Sequence, residues 1–208
     1  MKFKILKVAI VSIFLSVSSF ASATLIPFGI QTDIDTSTLT NNGWSLNFQS
    51  SWGSQDAHDY DMFAGIALDE YVFIGALDIG TNNIALGSAV LYSDLLNYTL
   101  GNATNDYNGA SWYFRNDYSM GFVDIGETVT LNSADTSADN GALSKLSWHM
   151  HDDYTAGYKV GNYASNSSGV YEKVVFRASA IDVPEPSTLA IFALGIMGLA
   201  SRKFNKKA

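Results

Sequence analysis

Between Pro27 and Pro184 the chain contains no proline; clusters of Gly, Asn, Asp, Ser and Thr cut it at short intervals instead. They fall at 40–43, 79–83, 101–109, 132–141 and 161–169. Such residues tolerate positive φ or hydrogen-bond their own backbone, so they act as turns. The runs left between them are too short for long helices. Trp44, Leu46 and Phe48 alternate with polar residues, as do Trp112 and Phe114. Tyr71 to Leu77 is a continuous β-favouring stretch, and 122–131, 143–150 and 170–178 complete the series. Many short strands between turns predict an all-β chain, an antiparallel β-sandwich of jelly-roll-like topology. One helix is expected over 85–96, where Leu86, Val90 and Leu91 could share a face with Leu95.

The two ends follow different rules. Lys2, Lys4 and Lys7 precede an apolar or small run from Val8 to Ser19, and Ala21-Ser22-Ala23 has the small-x-small form that signal peptidase cuts. Residues 1–23 therefore read as a signal peptide, with the mature chain starting near Thr24. At the other end, Val183-Pro184-Glu185-Pro186 should be extended, because each proline keeps its predecessor out of the helical region. Ser187 or Thr188 can cap a single apolar helix over Leu189–Ala200, about 18 Å long and marginal as a permanent span. Arg202, Lys203, Lys206 and Lys207 follow, favouring a cytoplasmic C-terminus. The expected organisation is signal peptide 1–23, sandwich 24–178, linker and motif 179–186, helix and basic tail 187–208.

A Pro-Glu-Pro signature, one apolar helix and a terminal basic cluster, in that order, resemble the PEP-CTERM sorting tail of Gram-negative bacteria. The resemblance covers the tail alone. It implies processing by an exosortase, a membrane-embedded cysteine transpeptidase, with Val183, Pro184, Glu185 and Pro186 recognised and Arg202 and Lys203 within the stop signal. It also implies transient insertion in the inner membrane, then delivery to the cell surface or an extracellular polysaccharide matrix. A tail that is never cut, leaving an anchored periplasmic or surface protein, stays open as an alternative.

Removing the two end segments changes the charge. Residues 24–186 hold five cations (Arg115, Lys145, Lys159, Lys173, Arg177) against all 20 carboxylates, a net charge of −15 where the whole chain has −8. Such a domain repels nucleic acid and attracts divalent cations and basic partners. With no cysteine, disulfides and thiol chemistry are excluded.

Two metal chemistries suggest themselves. His58-Asp59-Tyr60-Asp61 and His149-Met150-His151-Asp152-Asp153 hold all three histidines. On strands, Asp59 and Asp61 share a face, as do His149 and His151, a set that suits zinc or manganese if the segments pair. Calcium could instead take oxygen ligands from Asp33-Ile34-Asp35, from Asp106 and Asn108 in the 105–109 loop, or from 135–141. Neither pattern matches a defined metal motif, and turns at strand ends explain both as well.

Trp44, Trp112 and Trp148 each lie in an alternating run and are expected in the core. Tyrosines beside turns could stack on sugar faces while Asn and Asp bond hydroxyls. No Gly-x-Ser-x-Gly elbow, His-Glu-x-x-His helix or phosphate-binding glycine loop is present. Paired carboxylates for glycoside hydrolysis are numerous, but no pair stands out by context. The sequence reads as an exported, non-enzymatic sandwich with a glycan-binding or structural role; a secreted polysaccharide hydrolase is the alternative.

Overall fold

The computed structural model of the chain describes residues 24–54, 62–115, 118–127, 129, 144–150, 157–161, 163–164 and 169–179. Thr24–Ala180 form one compact unit. Two antiparallel sheets build it. The first contains β1 (Ile30–Asp35), β2 (Ser45–Ser51), β3 (Glu70–Asp78), β4 (Asn83–Leu91) and β11 (Tyr171–Ser179), in the order β1-β4-β3-β11-β2. The second runs β10-β9-β8-β7-β6-β5, from β5 (Asn105–Tyr107), β6 (Ala110–Arg115), β7 (Ser119–Val123), β8 (Leu146–His149), β9 (Gly157–Val160) and β10 (Tyr163–Ala164). Among the described residues two short helices, α1 (Thr36–Thr40) and α2 (Tyr92–Leu95), lie at strand ends.

The all-β reading holds and the jelly-roll connectivity does not. A jelly roll sends successive strands to alternate sheets, whereas β5 to β10 stay side by side in one sheet. One such neighbour pairing is made by a tight turn: Asn108-Gly109, both at positive φ, joins β5 to β6 in two residues. The expected helix over 85–96 is also corrected. Residues 83–91 form β4, and only Tyr92–Leu95 are helical. Because β4 is buried on both faces, its apolar run does not alternate, and periodicity alone misassigns such a run.

The main core lies between the sheets. Val72, Ile74, Leu86, Val90 and Val175 of the first meet Trp112, Phe114, Met120, Phe122, Leu146, Trp148 and Val160 of the second. A second cluster covers the outer face of the first sheet, where Phe73, Leu77, Ile84 and Phe176 pack under Leu39 of α1, Trp44 and Ile26. Trp44 is pinned there by its indole N–H, which donates to the Leu25 carbonyl at 2.8 Å. The expectation that Trp44, Trp112 and Trp148 are core is met, and Trp52 joins them with no exposed surface. Trp52 ties the sheets together: its N–H donates to Tyr171 O at 3.0 Å and its carbonyl accepts from Gly157 N–H at 2.7 Å. Gly157 lies flat against the Trp52 indole, so no side chain fits between them.

Candidate functional site

At the end of the first sheet where β11 finishes, a cleft of about 510 Å³ opens between the 43–45 turn and the loop leading into β3. Its polar walls are Ser45, Asp69, Glu70, Arg177 and Ser179. Strand register explains the assembly: Glu70 stands opposite Ser179, and Arg177 lies between Val72 and Ser45. The loop is held from both sides. Arg177 Nη1 donates to Gly65 O at 2.9 Å, and Ala67 N–H donates to Glu70 Oε2 at 2.7 Å. Asp69 is exposed and Glu70 half-buried, so acceptors and a guanidinium face solvent within one concavity. Thr24, the expected mature start, is close by, its hydroxyl 2.8 Å from where a Cβ on Gly43 would stand.

The metal candidates are placed only in part. Asp59, Asp61 and His151 lie outside the described residues, as do Asp135 and Asp139. His149 ends β8 opposite Ser119, with the Tyr158 ring edge-on at 5.1 Å. Asp106 accepts from the Ser111 hydroxyl. Asn108 spends both amide protons on backbone carbonyls, of Pro27 at 2.7 Å and Ala89 at 2.9 Å. Its role here is to join the N-terminal segment, β4 and the β5–β6 turn. Asp33 sits on β1 at φ +53°, and Asp35 caps α1 by accepting from Ser37 N–H at 2.8 Å. Among the described residues no three His, Asp or Glu side chains cluster as a metal would need.

The charge distribution is sharper than the sequence implies. Three of the five cations are buried lysines, Lys145 at 1 %, Lys159 at 8 % and Lys173 at 0 % exposure. Lys173 Nζ donates to the Ser54 carbonyl at 2.9 Å. Arg115 is half-buried and turned onto the carbonyls of Thr99 and Gly101. Arg115, and Arg177 in the cleft, are thus the two cations of residues 24–186 that are half-buried and not buried. Sequence reasoning did not single out Glu70 or Arg177. The available signal was the scarcity of cations, which makes each exposed one conspicuous.

The described residues thus define an acidic two-sheet β-sandwich with a polar cleft beside its final strand. Its address comes from the tail: residues 182–206 match the PEP-CTERM protein-sorting motif. That motif marks an exported protein, sorted to the cell surface by an exosortase. No curated protein and no solved structure matches the chain. Among the described residues no helix is long and apolar enough to cross a membrane. Ala21, Ala23, Val183 to Pro186, Arg202, Lys203 and the expected helix over 189–200 all lie outside those residues.

Proposed function

We propose that this chain delivers a non-catalytic β-sandwich to the cell surface or extracellular polysaccharide matrix, where the cleft binds a neutral or cationic glycan. In this reading signal peptidase cuts after Ala23. The apolar helix then holds the C-terminus in the inner membrane until an exosortase acts at Val183–Pro186. The observation that carries the binding role is the cleft itself. Its volume of about 510 Å³ lies within the usual range for ligand sites. Carboxylates as acceptors beside Arg177 as donor suit a hydroxyl-rich ligand, while the −15 charge repels polyanions.

Intact mass and glycan binding of protein recovered from its producing cells test both halves. A surface species running from near Thr24 to near Pro186, binding glycans without releasing reducing ends, is the expected result. Arg177→Ala should then weaken binding by about tenfold, the loss of a charge-assisted hydrogen bond. New reducing ends would replace the binding role with hydrolysis, and a species kept whole through Ala208 in the inner membrane would end the processing scheme.

A further inference from the structure

The two edges of the first sheet are built differently. β1 carries exposed Asp33 and Asp35, and Asp33 leaves the ladder at φ +53°. Charge and a broken register are how edge strands are guarded against pairing with another chain. β2, at the opposite edge, reads Ser-Leu-Asn-Phe-Gln-Ser-Ser: seven residues without charge, proline or glycine. Ser45, Leu46, Gln49 and Ser51 are exposed, and among the described residues β11 is the one strand paired with it. Among the described residues the second sheet offers no comparable edge, since β5 and β10 have three and two residues.

We propose that β2 is a self-association edge, where a second copy of this chain adds antiparallel through Phe48–Ser51 to join two five-stranded sheets into one of ten. Two observations select a second copy as occupant, and a third sets the stretch that can pair. First, a two-fold axis through this segment sets neutral residues against neutral residues, with Gln49 facing Gln49 or Ser51 of its mate and no like charges opposed. Second, at −15, with three of five cations buried, most of the surface repels an identical molecule, and β2 is a neutral stripe on it. Third, the register with β11 skips Asn47, whose amide turns to the Met62 carbonyl at 2.9 Å. This bulge bends the strand before Phe48 and guards that half against pairing, which leaves Phe48–Ser51 as the pairable part. The contact is short, and it forms an equilibrium that depends on protein concentration and not an obligate dimer.

Sedimentation of the protein recovered from its producing cells, over a concentration series at low and high salt, tests this. The expected result is a monomer–dimer equilibrium that strengthens with salt as self-repulsion is screened. The double substitution Gln49→Lys with Ser51→Lys should weaken association about tenfold or more, because lysines then oppose lysines in either register. Glu172, whose carboxylate accepts from Gln49 at 2.8 Å, keeps a donor partner after Gln49→Lys, so an unchanged thermal midpoint shows that folding survives. Adding positive charge lowers the net repulsion between copies, so weaker association can be assigned to the edge itself. Thr32→Lys on exposed β1 is the control, expected to leave association intact. A monomer at every concentration, or a dimer indifferent to the two β2 substitutions, would overturn the proposal.

Discussion

The two sheets reach similar packing by opposite routes. Among the described residues every strand of the second pairs with its sequence neighbour, and those strands span two to six residues. In the first, three of five strands are nine residues long, and β11 inserts between β3 and β2, far away in sequence from both of those partners. Local pairing costs little loop-closure entropy and non-local pairing costs more. The meander can therefore pair early, yet its apolar inner face has no cover until the first sheet exists. That sheet is completed by the strand that ends just before the sorting linker. Closing the sandwich therefore requires nearly the whole exported segment.

The strongest test of that interdependence is Trp52→Ala. The residue is fully buried, bonded to β11 on one side and Gly157 on the other, with its ring 6.5 Å from Trp148 and 5.9 Å from Tyr171. A loss of about 3–5 kcal/mol is expected, read as a lower urea midpoint. If the sheets are one cooperative unit, backbone and tryptophan signals should shift together. Two separate transitions would show that they unfold independently.

Glycine substitutions sharpen the contrast between the sheets. At Gly87 on β4 an added methyl would strike the Phe73 ring; at Gly121 on β7 it would strike the Leu146 carbonyl. A ring can tilt within its pocket, but a ladder carbonyl can move only by breaking the sheet. Both substitutions should cost about 1–3 kcal/mol, with Gly121→Ala the more damaging. Denaturation curves giving the reverse order would mean that the first sheet is the stiffer one.

Most strands were legible because turn clusters bracket β-favouring runs, as at Tyr71–Leu77 or Trp112–Phe114. What failed was the part that depends on partners. β4 was mistaken for a helix because burial on both faces erased its alternation. The order of the first sheet was invisible because no local signal says that 171–179 belongs beside 70–78. The candidate site suffered similarly. Asn108 reads as a ligand-type residue, yet Pro27 and Ala89, far away in sequence, consume its amide. Glu70 and Arg177 come to line one cleft only through the register of β3 and β11.

Asn108→Ala isolates the junction where the β5–β6 turn of the second sheet is tied to the N-terminal segment and to β4 of the first. It removes hydrogen bonds from the carbonyls of half-buried Pro27 and fully buried Ala89 and leaves alanine at φ +47°. About 1–3 kcal/mol should be lost. Hydrogen exchange should quicken first at Gly29, whose N–H donates to the Asn108 carbonyl at 2.8 Å. Uniformly faster exchange would place the residue in the global core instead.

The smallest effect is expected at Asp35, and it distinguishes the outer cover of the first sheet from the core between the sheets. The Ser37 hydroxyl and backbone N–H hold this carboxyl below its ordinary value of 3.8. A group whose pKa is lower in the folded state contributes stability that is present above the unfolded value. That contribution is lost as pH falls through the lower, folded value. Asparagine caps helices as well as aspartate does but has no proton to take up. Asp35→Asn should therefore change little at neutral pH and make the loss of stability below pH 3.8 less steep than in the parent chain. The difference should show at Trp44, whose N–H donates to the Leu39 carbonyl of α1 at 3.2 Å, before it shows at Trp148 between the sheets. Identical acid limbs in the two proteins would mean that α1 frays before its cap is protonated, leaving the outer cluster the weaker of the two cores even at neutral pH.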